Sequence, residues 1–321
     1  MNGDIVLGSA VVGLLVGMTG AGGGALMTPM LILLFSIKPS TAISSDLVAA
    51  VVMRPVGAAV HFQRGTVNLR LVGWMALGSV PAAFAGSYIL HLFGNSKMAQ
   101  DNVEMALGAA LLVGAGAMVL RYVLDRRSGQ ARRGVVRDVV VRPLPTLAIG
   151  VLGGLVVGLT SVGAGSLMIV LLMFLYPALA ANQLVGTDLA QAIPLTAAAA
   201  LGALTFGHVE FGLTSSIIVG SVPAVLIGSL LSSRVPDRHL RPVITLVILA
   251  SGLKYVGLGT TQLAWVVSAV LIAGGAWLIS RRLVRQRELA GSTAPDEIRS
   301  TQVSGSLVRV KASRSLVTKG P

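Results

Sequence analysis

Two glycine-rich stretches interrupt apolar runs that would otherwise be typical of membrane helices. The first is GMTGAGGGALMTPML at residues 17–31, and the second is GLTSVGAGSLMIVLL at 158–172. Because glycine in a helix costs about 1 kcal/mol relative to alanine, these runs predict two helix breaks. In a bilayer, open backbone is tolerated only where protein buries it or where it lines a cavity. Matching breaks in two halves of a chain indicate a transporter's binding site.

Chemistry at these breaks would come from the helix ends they create, near Ala25 and Ser166. A helix N-terminus carries unpaired N–H groups and about half a positive charge, so it attracts anions. Glycine lets an anion approach the backbone closely. The alternative is that the glycines only allow close helix packing, which we expect of the Gly13/Gly17 and Gly154/Gly158 pairs. The predicted anion-binding residues at the breaks are Thr19, Gly22, Gly23, Gly24, Thr160, Ser161, Gly163 and Gly165.

Arg54 lies inside an apolar span, where an arginine costs roughly 2.5–3.5 kcal/mol on insertion scales. It is therefore expected to face a cavity as a fixed cation for an oxyanion, or to pair with Asp46 or Asp188. These two aspartates occupy matching places near span starts, which fits either helix capping or ion coupling. Ser45 and Gln191 are further predicted substrate-binding residues.

The composition is that of an integral membrane protein. The 321 residues are 54% hydrophobic and 12% charged, whereas soluble domains are about 25% charged. The net charge of +13 is concentrated in 121–142, with seven Arg and two Asp, and in 281–321, with nine Lys/Arg and three Asp/Glu. Basic segments beside membrane helices favour the cytoplasmic side and anionic lipids over nucleic acid.

An internal repeat connects the two halves of the chain. GLLVG at 13–17 matches GLVVG at 154–158, Asp46-Leu47 matches Asp188-Leu189, and GSVP at 78–81 recurs at 220–223. We therefore expect a first membrane repeat at 1–120, a basic cytoplasmic linker at 121–142, a second repeat at 143–280 and a basic, disordered tail at 281–321. The apolar spans are predicted at 5–35, 41–62, 71–92, 102–120, 144–176, 181–206, 212–232, 240–258 and 262–280.

The loop charges favour a topology in which each broken span enters and returns as a hairpin. All strongly basic segments then lie on one side, as the positive-inside rule requires. The repeats become inverted, with three crossings in the first and four in the second. The prediction is an all-α, polytopic protein of about 7–9 membrane segments in the inner (plasma) membrane, with a cytoplasmic C-terminus.

These features resemble the sulfite exporter TauE/SafE family of anion permeases. The resemblance rests on the glycine-broken first helix with Pro29, on Ser44-Ser45, on the His61-x-x-x-Gly65-x-Val67-Asn68 motif and on the second copy at 154–229. It implies movement of sulfite, sulfonates or related sulfur-containing anions. The sequence departs from the family pattern at Arg54-Pro55 and at Ala164, which replaces the middle glycine of the second break.

The predicted function is thus a secondary permease that binds a small anion at the midplane and works by alternating access. Coupling to protons or to Na⁺ is left open, and no cofactor, metal or nucleic-acid partner is expected. A passive anion channel is an alternative because the same helix ends would serve it. An intramembrane lipid-modifying enzyme or protease is less favoured because no HExxH, GxSxG or carboxylate cluster appears.

Overall fold

A computed structural model describes residues 2–19, 23–63, 65–92, 97–127, 140–163, 165–231, 237–259, 261–266 and 268–269. Throughout these ranges the regular structure is helical, as the sequence predicts. The predicted tail at 281–321 and most of the span at 262–280 lie outside the described residues. The helices are α1 (Gly3–Thr19), α2 (Gly24–Phe35), α3 (Pro39–Gln63), α4 (Leu69–Leu92), α5 (Lys97–Arg127), α6 (Pro143–Thr160), α7 (Ser166–Leu175), α8 (Ala181–Phe206), α9 (Phe211–Leu231) and α10 (Asp237–Tyr255).

The predicted breaks are present at the predicted places. Helix α2 begins at Gly24, one residue before the expected start, and α7 begins at Ser166. At the other predicted boundaries the helices differ from the spans by a few residues. The largest difference is in α5, which continues to Arg127 and so makes the first seven residues of the predicted linker helical.

Each broken span is an antiparallel hairpin. In the first, a side chain added at Gly8 of α1 would meet Met30 and Phe35, which lie towards the far end of α2. In the second, the Tyr176 hydroxyl just after α7 is hydrogen-bonded to Thr146, in the first turn of α6. Two helices that continued in one direction would separate these residues by tens of ångströms.

The two repeats exchange partners. Helix α1 packs along α9, with Gly13 against the backbone of Ser221. Helix α6 packs along α4 in the same way, with Gly154 against the backbone of Ser79. The GLLVG and GLVVG motifs therefore each contact the GSVP motif of the other repeat. Both pairs run parallel, because contacts advance along the two helices together.

These contacts make the repeats inverted in orientation. Following the hairpin turns, α1 and α3 run one way while α2 and α4 run the other. Helix α6 is parallel to α4, so the second repeat begins in the direction opposite to the first. The ends of α3, α5 and α9 consequently lie at one face of the helical body, and the ends of α2, α4 and α8 lie at the opposite face.

Helix α3 is central to the packing of the body. Its Ile43 and Leu47 belong to one buried apolar cluster, formed mostly by α4, α6, α7 and α8. Its Ala49 and Met53 belong to the other cluster, formed mostly by α1, α2, α5, α9 and α10. Helix α3 also packs against α8, and the contact between Ser44 and Gly207 shows that the two run antiparallel. The polar residues of α3 thus lie between the two clusters.

Within the described residues, five helices are long and apolar enough to cross a membrane by length and composition. They are Leu69–Leu92, Lys97–Leu124, Pro143–Thr160, Gln183–Phe206 and Phe211–Leu231. The helices Gly3–Thr19, Gly24–Phe35 and Pro242–Tyr255 are apolar but shorter. Together with the hairpins, these helices identify a polytopic membrane protein.

Candidate functional site

The two helix breaks meet in the middle of the body. Gly24, the first residue of α2, lies so close to the second break that an added Cβ would collide with the Ser161 carbonyl oxygen. The same Cβ would lie 2.7 Å from the Ser161 hydroxyl oxygen. Glycine is therefore required at residue 24 by the approach of another part of the backbone.

The second break has a strongly irregular backbone. Ser161 follows α6 in the left-handed region, with φ 57°. Gly163 and Gly165 have φ values of 117° and 110°, which favour glycine because L side chains rarely adopt them. These three residues turn the chain from α6 back into α7 within a few positions, and all three are buried.

Asp46 joins three elements at this point. Its Oδ2 atom accepts a hydrogen bond from the Thr28 hydroxyl of α2 at 2.9 Å and from the Ser161 hydroxyl at 2.7 Å. The side chain is 1% exposed. The carboxylate of the first repeat therefore binds the break of the second repeat, and hydrogen bonds to a buried charge are strong.

Asp188 occupies the matching place in the second repeat. It accepts a hydrogen bond from the Gly165 backbone N–H at the start of α7, and its Oδ1 atom is buried without a hydrogen-bond partner. Asp46 and Asp188 are each the eighth residue of their helices, α3 and α8. The predicted capping of their own helices is therefore wrong, because a cap lies at the first turn. Asp188 instead interacts with the N-terminus of α7.

Arg54 provides the positive charge at this site. It interacts electrostatically with both Asp46 and Asp188, and Arg121 of α5 also acts on Asp188. The Arg54 side chain is partly buried, and its Nε atom is buried without a hydrogen-bond partner. We call Asp46, Arg54, Ser161, Gly165 and Asp188 the central cluster.

Gln191 lies one turn beyond Asp188 on α8. Its side-chain nitrogen donates a hydrogen bond to the Ser79 hydroxyl of α4 at 2.6 Å, and its Oε1 atom is buried without a partner. Gln191 and Ser79 are both fully buried. The Gln191 amide is therefore held by a hydrogen bond from its nitrogen, while its oxygen remains a buried acceptor without a partner.

The remaining predicted residues are placed differently. The Thr19 and Thr160 hydroxyls donate to carbonyls of their own helices, those of Leu15 and Val156, at 2.7 Å. The Ser45 hydroxyl accepts a hydrogen bond from the Glu210 backbone N–H and so ties α3 to the segment before α9. Gly23 lies in the turn before α2, whereas Gly22 lies outside the described residues.

Sequence reasoning did not identify Thr28, Ser79 or Arg121. Thr28 and Ser79 are single hydroxyls in apolar helices, and such residues commonly bond to their own backbone. A signal for Thr28 was its place beside Pro29, within the first break. Arg121 was counted only as part of the basic linker, because α5 was expected to end at residue 120.

Comparison with known proteins identifies the family of this chain. Residues 5–255 match the family model described as "Sulfite exporter TauE/SafE". The chain belongs to the sulfite exporter TauE/SafE family. YjnA of Bacillus subtilis (strain 168), a "probable membrane transporter protein", is 41% identical over 257 residues, which cover 80% of this chain and all of YjnA. YdhB of the same organism, with the same description, is 23% identical over 78% of this chain and 98% of its own length.

A further relative extends this similarity to another organism. A "probable membrane transporter protein" of Xylella fastidiosa (strain Temecula1 / ATCC 700964) is 27% identical over 74% of this chain and 87% of its own length. No solved structure matches the chain. The central cluster, with Asp46, Arg54 and Asp188, therefore lies in a TauE/SafE family membrane transporter.

The central cluster combines three hydrogen-bond donors with two carboxylates. An arginine, a serine hydroxyl and a backbone N–H all donate hydrogen bonds, and oxyanions accept several at once. In the part of the chain that the structure describes, no group of three or more His, Asp or Glu side chains could hold a metal ion.

Proposed function

We propose that the protein is a secondary permease for small sulfur-containing anions such as sulfite, thiosulfate or sulfonates. The anion binds in the central cluster, between the two hairpin breaks. The substrate class comes from the family, whose model is described as a sulfite exporter. The site itself is inferred from the polar groups of this chain.

The observation that carries the proposal is the buried, unpartnered Nε atom of Arg54, a cation that interacts electrostatically with both Asp188 and Asp46. A buried donor without a partner costs free energy, and a bound anion would supply the missing partner. An intramembrane arginine is itself a functional feature by default. Gln191 and Ser161 supply further polar groups within the buried body.

The interlocked inverted repeats support alternating access as the mechanism in this proposal. Each hairpin packs on a helix of the other repeat. A movement of one hairpin therefore changes access to the central cluster from one membrane face only. Inverted repeats give two such movements related by a two-fold axis. In this proposal the central cluster stays fixed while the hairpins open in turn.

The sidedness of the molecule is part of the proposal. Arg70 and Arg142 lie at the face where α3, α5 and α9 end, whereas Asp101 and Glu104 lie near the opposite face. We assign the first face to the cytoplasm by the positive-inside rule. The proposal is a multi-pass protein of the inner membrane, and a cytoplasmic C-terminus further requires that the predicted span at 262–280, which lies mostly outside the described residues, crosses the membrane.

Uptake of ³⁵S-thiosulfate and of labelled sulfonates into proteoliposomes tests the function. Wild type should show saturable uptake and trans-stimulated exchange. Arg54→Ala should raise KM about 10- to 100-fold, the equivalent of one hydrogen bond to a charged group, and Arg54→Lys should recover part of the loss. Arg70→Ala is the matched control, because Arg70 is exposed at the start of α4.

Two outcomes would contradict the proposal. Unsaturable flux without exchange would identify a channel, and no flux of any sulfur oxyanion would remove the substrate class. An Arg54→Ala protein with wild-type KM would remove the arginine from the binding site.

A further inference from the structure

We propose that the anion crosses together with protons that bind to Asp46 and Asp188, with one proton for each negative charge of the anion. This inference rests on the proposed function, because it concerns the same central cluster. It specifies the coupling ion and the stoichiometry of transport.

The first argument is the balance of charges. Asp46 and Asp188 are both 1% exposed, and the cations that act on them are Arg54 and Arg121. With both carboxylates ionised, these four groups are neutral as a set. A net charge away from water within a membrane protein is costly. An anion that enters this set therefore needs a compensating proton.

The helices that pack against α3 and α8 carry few charges, and these lie near the helix ends. Helices α2, α6, α7 and α9 carry no charged residue, and Asp188 is the sole charged residue of α8. Helix α4 contributes Arg70 and His91, which lie within two residues of its ends. On α5, Lys97, Asp101 and Glu104 lie in the first turns, at the face opposite to Arg121, and Asp125, Arg126 and Arg127 form the end of the helix beyond Arg121.

The second argument is competition for donors. Ionised Asp46 accepts from the Ser161 hydroxyl, ionised Asp188 accepts from the Gly165 N–H, and both interact with Arg54. These are the donors that an oxyanion needs. When a proton from water forms an O–H bond on a carboxylate, that carboxylate loses its charge and its demand for these donors. The anion then accepts the hydrogen bonds that the carboxylate accepted before. When the anion is released, both steps are reversed.

The third argument is position. Helices α3 and α8 are antiparallel, so Asp46 and Asp188 lie about 10 Å from opposite ends of the pair. Arg54 is eight residues beyond Asp46 on α3, on the side towards Asp188. Each carboxylate is thus nearer to a different aqueous face, and the shared cation lies between them. This placement gives each face its own proton acceptor.

The experiment measures anion and proton movement together. Full-length protein is reconstituted into liposomes that contain a pH-sensitive dye, and K⁺ with valinomycin sets the membrane potential. The probes are thiosulfate and methanesulfonate, which at neutral pH carry two negative charges and one. We expect two protons per thiosulfate, one per methanesulfonate, and initial rates that do not depend on the membrane potential.

The variants assign the protons to residues. Asp46→Asn and Asp188→Asn should each lower proton-driven thiosulfate uptake about 10-fold or more, a typical coupling free energy. Exchange of labelled for unlabelled anion should persist, since the amides resemble protonated carboxyls. Asp101→Asn is the control, because Asp101 is an exposed carboxylate of α5.

The outcomes separate this inference from the proposed function. Saturable uptake that follows the membrane potential without a pH change leaves a permease and overturns proton coupling. Wild-type proton ratios in both Asn variants overturn the assignment to these residues. Uptake of neither anion overturns the proposed function and this inference together. If an Asn variant does not fold, the wild-type stoichiometry still decides the question.

Discussion

In the first repeat Gly13 and Gly17 lie against the backbone of α9, and in the second Gly154 and Gly158 lie against the backbone of α4. These packing faces are the same in both halves. The polar positions are different: Arg54 of α3 corresponds in register to Thr196 of α8. The Thr196 hydroxyl only bonds to carbonyls of its own helix, whereas Arg54 interacts with two carboxylates. The two halves therefore keep the same glycines where their backbones touch, but they differ at the position of the buried arginine.

The two carboxylates show the same divergence. The Oδ2 atom of Asp46 accepts from two hydroxyls, one of them in the other repeat, whereas Asp188 keeps an unpartnered oxygen and has a second cation nearby. Equivalent positions in the two repeats therefore differ in their environment. An inverted-repeat transporter is expected to show this inequality when only one of its two hairpins is open.

The largest effect is expected where the two repeats touch at the breaks. Gly24→Ala places a methyl group against the Ser161 carbonyl, so one backbone must move. We expect transport to be lost and the free energy of unfolding to fall by about 1–3 kcal/mol, the range for overpacking. Uptake in proteoliposomes and thermal unfolding in detergent measure the two effects.

The neighbouring glycine is the control for that variant. An added Cβ at Gly23 would meet only the Met53 Cε atom, at 3.6 Å. Gly23→Ala should therefore retain transport. Equal effects of the two substitutions would show that the contact between the breaks is unimportant.

An intermediate effect is expected at the shared packing faces. Gly13→Ala places a Cβ 2.7 Å from the Ser221 carbonyl oxygen, and Gly154→Ala places one against the Ser79 carbonyl oxygen and 2.7 Å from the Ser79 Cα atom. Each should lower the free energy of unfolding by about 1–3 kcal/mol, and the two losses should be similar. Gly116→Ala is the control, because nothing lies within 4 Å of its added Cβ. Clearly unequal losses in chemical unfolding would contradict the equivalence of the two faces.

The smallest effect distinguishes the two hairpins. Tyr176 and Phe35 correspond in register, but only Tyr176 donates or accepts hydrogen bonds, with Thr146 and with the Arg142 N–H at 2.8 Å. Tyr176→Phe should cost about 1 kcal/mol, the net value of a hydrogen bond, as measured by thermal unfolding. The reverse change, Phe35→Tyr, should give no such gain. A neutral Tyr176→Phe protein would show that this bond does not stabilise the second hairpin.

The breaks and the packing glycines were predictable because their physical causes are local. Glycine runs open a helix wherever they occur, and a GxxxG pair indicates close packing without any knowledge of the partner. The starts of α2 and α7 were accordingly found to within one residue. The hairpin topology required one further argument, the distribution of basic residues between loops.

The contacts of the site were not predictable in this way. The hydrogen bond from Ser161 to Asp46 joins residues 115 positions apart, and its formation depends on how the repeats interlock. The sequence marks Asp46 and Asp188 as a matching pair and leaves capping and ion coupling open, because it does not show that each carboxylate lies one turn beyond the first turn of its helix, against the break of the other repeat or the start of α7. Whether Thr19 and Thr160 turn towards a ligand or towards their own helices is decided by rotamers that a sequence does not specify.

The exchange of partners between α1 and α9, and between α6 and α4, has a consequence for biogenesis. While the first half emerges from the ribosome, the glycine faces of α1 and α4 are in the membrane without the helices that will cover them. The first half cannot cover these glycine faces with its own helices, so assembly must wait for α6 and α9. A truncated first half should accordingly be a substrate for membrane quality control rather than a smaller stable protein, and complementary halves produced together should rescue each other.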